Sequence, residues 1–80
     1  MELKKLQNLA IAESGYIFDP SSGHSYTANE TALFIIAELK KGLTSEEIQK
    51  LLVEEYDVDA STAEGDTIRI IEQLQSHYLI

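Results

Sequence analysis

The chain has 80 residues, no cysteine, and a formal charge of -8 from 14 acidic and 6 basic side chains. A chain this short encloses one core and buries about 60–65% of its unfolded surface, so residues 1–80 are read as a single domain with no second site-bearing lobe. The missing cysteines exclude disulfides, thiolate metal sites, iron–sulfur ligation and a cysteine nucleophile, while the acidic balance makes phosphate backbones and anionic lipids poor partners.

Residues 1–6 read as a partly frayed lead-in. From Gln7 to Glu13 the pattern alternates, with Leu9 and Ile11 on one face and Ala10 and Ala12 on the other, which predicts a strand. Ser14-Gly15 marks a turn. Tyr16, Ile17 and Phe18 are strand formers by shape, and Asp19-Pro20-Ser21-Ser22-Gly23 supplies a second turn, because proline presets one dihedral and glycine takes the positive one. His24 to Ala28 is the returning strand, and no helix is expected before residue 20.

Ala32 to Ala37 is apolar enough for a buried strand, but its flanks favour a helix over residues 30–41. Asn29 is a candidate N-cap with Glu30 in the first turn, and Thr27 with Glu30 three residues on forms a rival capping box. Lys40 and Lys41 suit the negative end, and Gly42 suits a left-handed close. Thr44-Ser45-Glu46-Glu47 is a clearer capping box, followed at helical spacing by Ile48, Leu51, Leu52 and Tyr56.

A third helix begins after Asp59 or Ser61, the latter supported by Glu64, and runs to about His77. Ala63, Thr67, Ile70, Ile71, Leu74 and Tyr78 form its apolar stripe. Gly65 inside it costs about 1 kcal/mol relative to alanine, and reads equally as close packing or as tolerated weakness. The order is a three-stranded antiparallel sheet followed by three helices, an α+β domain whose last two helices can stand as a helix-turn-helix. Ile17, Phe34, Ile35, Leu39, Ile48, Leu52, Ile71 and Leu74 are the expected core.

Little in the chain points to chemistry. His24 and His77 are the two histidines and match no metal spacing, the pairs Glu46-Glu47 and Glu54-Glu55 point differently around a helix, and Ser21 and Ser22 have no visible base. No phosphate-cradling glycine pattern occurs. The expectation is a protein that is no enzyme and needs no cofactor or metal. The longest wholly apolar run falls far short of the roughly 20 residues that span a bilayer, and Met1-Glu2 begins no signal-like pattern, so a soluble, cytoplasmic protein is expected.

Ala28-Asn29-Glu30-Thr31 leading into the first helix, Gly42 through Ile48 between the first and second, Tyr56-Asp57-Val58-Asp59 before the third, Asp66, Ile70, Ile71 and Leu74 within it, and the ending Tyr78-Leu79-Ile80 together resemble the PqqD family. These are the peptide-binding proteins of pyrroloquinoline quinone biosynthesis, whose wider group is called RiPP recognition elements. The resemblance covers nearly the whole chain from about Leu9. Two departures stand out: alanine in place of the usual leucine before Asn29, and Tyr78 where many members have glycine.

What the resemblance implies is a winged helix-turn-helix-like domain that binds the leader segment of a ribosomally made precursor peptide. Such a domain presents the leader to a separate modifying enzyme, such as a radical S-adenosylmethionine protein. The leader would join as a strand beside His24, Ser25, Tyr26, Thr27 and Ala28 and settle against Asp66, Arg69, Ile70, Gln73 and His77 of the third helix. Strand addition satisfies unpaired backbone groups without one fixed sequence, which leaves selectivity to the helix wall. Ile70 is then the apolar floor and Arg69 a partner for a leader carboxylate. In the plainer alternative, Ile70 is ordinary core, Arg69 pairs with Glu72 or Asp66, and Tyr26 is a half-buried sheet residue.

Three other functions compete. A DNA-binding winged helix would read the major groove with the third helix, yet Arg69 is that helix's single basic residue, amid Glu64, Asp66 and Glu72. A carrier protein would need an Asp-Ser-Leu at a helix start, which the sequence lacks. A protein-interaction module of the same fold without a leader peptide stays open at this point.

Overall fold

The computed structural model describes residues 3–80, so the reading of Met1-Glu2 lies outside the described residues. The chain runs in the order α1 (Lys4–Gln7), β1 (Ala10–Ile11), β2 (Tyr16–Phe18), β3 (Ser25–Thr27), α2 (Glu30–Lys40), α3 (Ser45–Tyr56) and α4 (Ala60–Ser76). The three strands form one antiparallel sheet in the order β1-β2-β3, followed by the three expected helices. This is the α+β architecture that the turn and capping signals imply.

The stretch from Lys4 to Leu9 departs from expectation. Lys4–Gln7 is a single helical turn where a frayed lead-in and a strand from Gln7 were expected. Leu6 in that turn is fully buried, and the Gln7 side-chain amide donates to the Lys40 carbonyl at 2.6 Å, so tertiary packing fixes what local pattern leaves undecided. The Asn8 and Leu9 N–H groups close the turn on the Lys5 and Leu6 carbonyls, which delays the strand to Ala10. Leu9 therefore sits buried ahead of β1, whereas Ile11, expected on its face, is partly exposed.

Local capping chemistry sets the helix starts. Asn29 accepts the Ala32 N–H at 2.8 Å and caps α2, while Thr27 stays in β3 and forms no rival box. Thr44 and Glu47 bond each other's backbones at 3.2 and 2.8 Å, the full capping box of α3. For α4 the cap is Asp59, which accepts the Thr62 N–H at 2.7 Å, and Ser61 lies inside the helix. At the end of α2, Gly42 takes φ 90° and the Leu43 N–H reaches back to the Glu38 carbonyl, the left-handed close that glycine allows at least cost.

The core joins Ile17 to Ile35, Ile36 and Leu39 of α2, Ile48 and Leu52 of α3, and Ala63, Ile70 and Leu74 of α4, with Leu6, Leu9 and Leu79 closing its ends. Two expected core residues sit at its margin. Phe34 is half-buried and meets Tyr56 edge-on at 5.2 Å, and Ile71 is also half-buried. Gly65 has open space where a side chain would sit, which settles its two readings in favour of tolerated weakness. No helix among the described residues is long and apolar enough to cross a membrane.

Candidate functional site

The register of β2 and β3 decides which backbone groups remain open. Asp19 N–H donates to the His24 carbonyl and Ala28 N–H to the Gly15 carbonyl, both at 2.9 Å, and Ile17 stands opposite Tyr26 between them. Bonding positions alternate in an antiparallel ladder, so Tyr26, the His24 carbonyl and the Ala28 N–H are directed toward β2. Ser25 and Thr27 turn their N–H and C=O groups the other way. Among the described residues no strand lies beyond β3, so these groups form an open edge.

Asp19 holds the turn that presents this edge. It is buried, and its carboxylate accepts the Ser21 N–H at 3.0 Å, the Ser21 hydroxyl at 2.7 Å and the Ser22 hydroxyl at 2.9 Å. The Ser21 hydroxyl leads these bonds in holding the carboxyl below its usual range, against the opposing effect of burial. At the other end of the hairpin Gly15 takes φ 99°, and a side chain there would run into the Ala28 carbonyl.

Beside the open edge lies a groove of about 390 Å³ between the sheet and helices α2 and α4. Its apolar lining is Ile70 and Leu74 of α4, Ile17 of β2, Ala32 and Ile36 of α2, and Leu9 and Leu79. Ile70 is 8% exposed, part core and part groove surface. Toward one end the Tyr26 ring meets His77 across the gap between β3 and α4, with ring centroids 4.8 Å apart and planes tilted by 56°. Arg69 and Gln73 supply the polar lining from α4.

Seven of the ten residues singled out from the sequence border this groove: Tyr26, Thr27, Ala28, Arg69, Ile70, Gln73 and His77. Ser25 lies outside it and belongs to the site through its backbone. The exposed His24 also lies outside, with its carbonyl used by Asp19 and its N–H donated to the Ser22 hydroxyl at 3.2 Å. Asp66 lies outside the lining and pairs with Arg69 at 3.0 Å, one of the two partners the plainer reading offered. Arg69 is thereby partly neutralised where it borders the groove.

Sequence reasoning missed much of the apolar lining. Leu74 is one turn on from Ile70 and Ile17 is the register partner of Tyr26, so spacing and pairing point to both. Leu9, Ala32, Ile36 and Leu79 carry no such local signal, because only the packing of α2 and the two chain ends beside the sheet brings them there. Among the described residues no three histidine or carboxylate side chains gather as a metal-ligand set.

Comparison with known proteins agrees with this geometry. A search of curated protein sequences finds no match. A solved structure described as lasso peptide synthetase B1 complexed with the leader peptide superposes with a TM-score of 0.76 and 27% sequence identity, covering 86% of this chain and 82% of that one. The family model described as Coenzyme PQQ synthesis protein D (PqqD) matches residues 15–80. With the hairpin, the open edge and all three long helices inside that match, the chain belongs to the PqqD family.

Proposed function

We propose that this domain binds the leader segment of a ribosomally made precursor peptide as a fourth strand on β3 and presents it to a separate peptide-modifying enzyme. The observation that carries the reading is the pairing of an open edge, Ser25 and Thr27, with an apolar groove directly beside it. The edge offers hydrogen bonds that any extended backbone can make, and the groove accepts side chains from the same strand. Ser25, Tyr26, Thr27 and Ala28 form the strand side of this site and Arg69, Ile70, Gln73 and His77 the helix side, with His24 and Asp66 at its margins.

Two further points support it. The structurally similar lasso peptide synthetase B1 is itself complexed with the leader peptide. A DNA-reading role for α4 is disfavoured, because its single basic side chain, Arg69, is already paired with Asp66. In this reading the domain does no chemistry and holds no cofactor. It acts in the cytoplasm by raising the local concentration of the precursor near the enzyme that modifies it, for example a radical S-adenosylmethionine protein.

Micromolar binding requires about -8 kcal/mol net, within reach of one added strand and one or two buried anchors after ordering costs. Amide NMR during titration with the leader of a precursor encoded near this chain's gene should move residues 24–28 and the 66–77 face together. Shifts gathered on α3 instead, or no binding by any such leader, would favour an interaction module of the same fold without a leader peptide.

A further inference from the structure

Tyr78 closes α4 in the left-handed region, at φ 59°. The Leu79 N–H donates to the Leu74 carbonyl at 2.9 Å and the Tyr78 N–H to the Gln75 carbonyl at 3.0 Å, the bond pair that ends a helix with a left-handed residue between them. Glycine is the residue this position takes at least cost, as at Gly42 after α2. The motif needs only the backbone of Tyr78. Its side chain is 79% exposed, and among the described residues its ring stacks on nothing and its hydroxyl has no hydrogen-bond partner. The fold thus carries a strained aromatic residue whose ring contributes nothing to it, the kind of outlier from which function is inferred.

The place of the strain is specific. His77 and Leu79, on either side of Tyr78, both border the groove, and His77 holds the Tyr26 ring. Leu79 is buried at 3% exposure and pins the backbone there. Resting on the peptide-binding reading above, we infer that Tyr78 is a specificity residue of that site. It is an aromatic surface for a basic side chain of the bound peptide, just outside the groove at its His77 end. A cationic side chain is the complement that the chain's charge of -8 favours, and an aromatic face attracts it further.

The test uses dodecapeptides selected from a displayed random library on the wild-type chain and synthesised with a fluorescent label. Tyr78→Gly is expected to melt no lower than wild type, yet to bind peptides carrying a lysine or arginine beside the groove segment about 2–5-fold more weakly. Tyr78→Phe keeps the affinity, and replacing the peptide's basic residue by glutamine removes the difference between wild type and Tyr78→Gly. Equal affinity of wild type and Tyr78→Gly for every selected peptide overturns the inference. Thr27→Pro separates the two claims: if it abolishes binding while Tyr78→Gly does not weaken it, the groove stands and Tyr78 has no part in it. If Thr27→Pro leaves binding of all selected peptides unchanged, the strand-addition reading fails and this inference with it.

Discussion

Thr27→Pro is the sharpest perturbation of the strand-addition reading, because it alters the open edge and nothing behind it. The Thr27 N–H points away from β2, so proline removes no bond of the existing ladder, and proline is tolerated on an edge strand whose N–H faces solvent. Tyr26 before it is already extended, as the residue preceding proline must be. Binding, however, loses one main-chain bond of about 0.5–1.5 kcal/mol and leaves a peptide carbonyl unpaired at a further cost of about 1–3 kcal/mol. The edge lies at the surface, so the lower part of that sum applies, about 1.5–3 kcal/mol or roughly 10- to 100-fold in Kd. Calorimetric titration with a leader that binds wild type, together with a thermal melt, measures both sides. Tyr26→Pro is the internal contrast: its N–H belongs to the β2 ladder, so it should lower the melting temperature sharply. A Thr27→Pro protein that melts normally and binds the leader as tightly as wild type would refute strand addition on β3.

Other outcomes follow from the same geometry. Asp19, Glu47 and Asp59 are each held below their ordinary values, chiefly by the Ser21 hydroxyl, the Thr44 backbone and the Thr62 backbone respectively. Their folded pKa values lie below the unfolded ones, so their stabilisation is complete above about pH 5 and is lost as pH falls through the folded values. Urea midpoints should therefore fall below about pH 4, and Asp19→Asn should lose part of that acid dependence; an unchanged slope would count against the turn carboxylate. The two glycines inside or beside the site elements should behave oppositely. Gly65→Ala meets open space in an exposed helix interior and should stabilise by about 0.5–1 kcal/mol, whereas Gly15→Ala combines φ 99° with the Ala28 carbonyl and should destabilise the β2–β3 pairing, both read by chemical denaturation.

What the sequence makes readable is whatever short-range physics decides. The turn at Asp19 to Gly23, the Asn29 cap and the Thr44–Glu47 box each depend on residues within three or four positions, and each forms as expected. That Arg69, Ile70, Gln73 and His77 share one side follows from helical spacing, whereas their place beside a bound strand is what the resemblance implies. Asp59 and Ser61 both offered local caps for α4, with Glu64 supporting Ser61, yet it is Asp59 that takes the cap. The α1 turn was unreadable locally: its stability comes from burying Leu6 and from a bond between Gln7 and Lys40, 33 residues away. The same holds for the far wall of the groove, where Leu9, Ala32, Ile36 and Leu79 become neighbours only in the folded chain. Asp66 shows the converse error, a residue on the expected face whose charge is taken by Arg69.

Strand addition also fixes which features of a peptide can be selected. Tyr26 and Ile17 face the groove while Ser25 and Thr27 alternate with Tyr26 as exposed positions of β3, so an added strand must alternate in step with β3. A peptide strand added on β3 would direct its residues i and i+2 toward Ile70 and Leu74 and the residue between them to solvent. Two peptides of identical composition, one with its apolar pair at i and i+2 and the other at i and i+1, should then differ. The adjacent pair can place only one side chain in the groove whatever register the peptide adopts, so sliding along the edge offers no rescue. Burying one aliphatic side chain contributes about 1.5–3 kcal/mol, which sets the expected difference at roughly 10- to 100-fold in Kd by fluorescence anisotropy. Equal affinity for the two peptides would mean that the groove does not read an extended strand. A preference for i and i+3 or i+4 would point to a bound helix lying between β3 and α4.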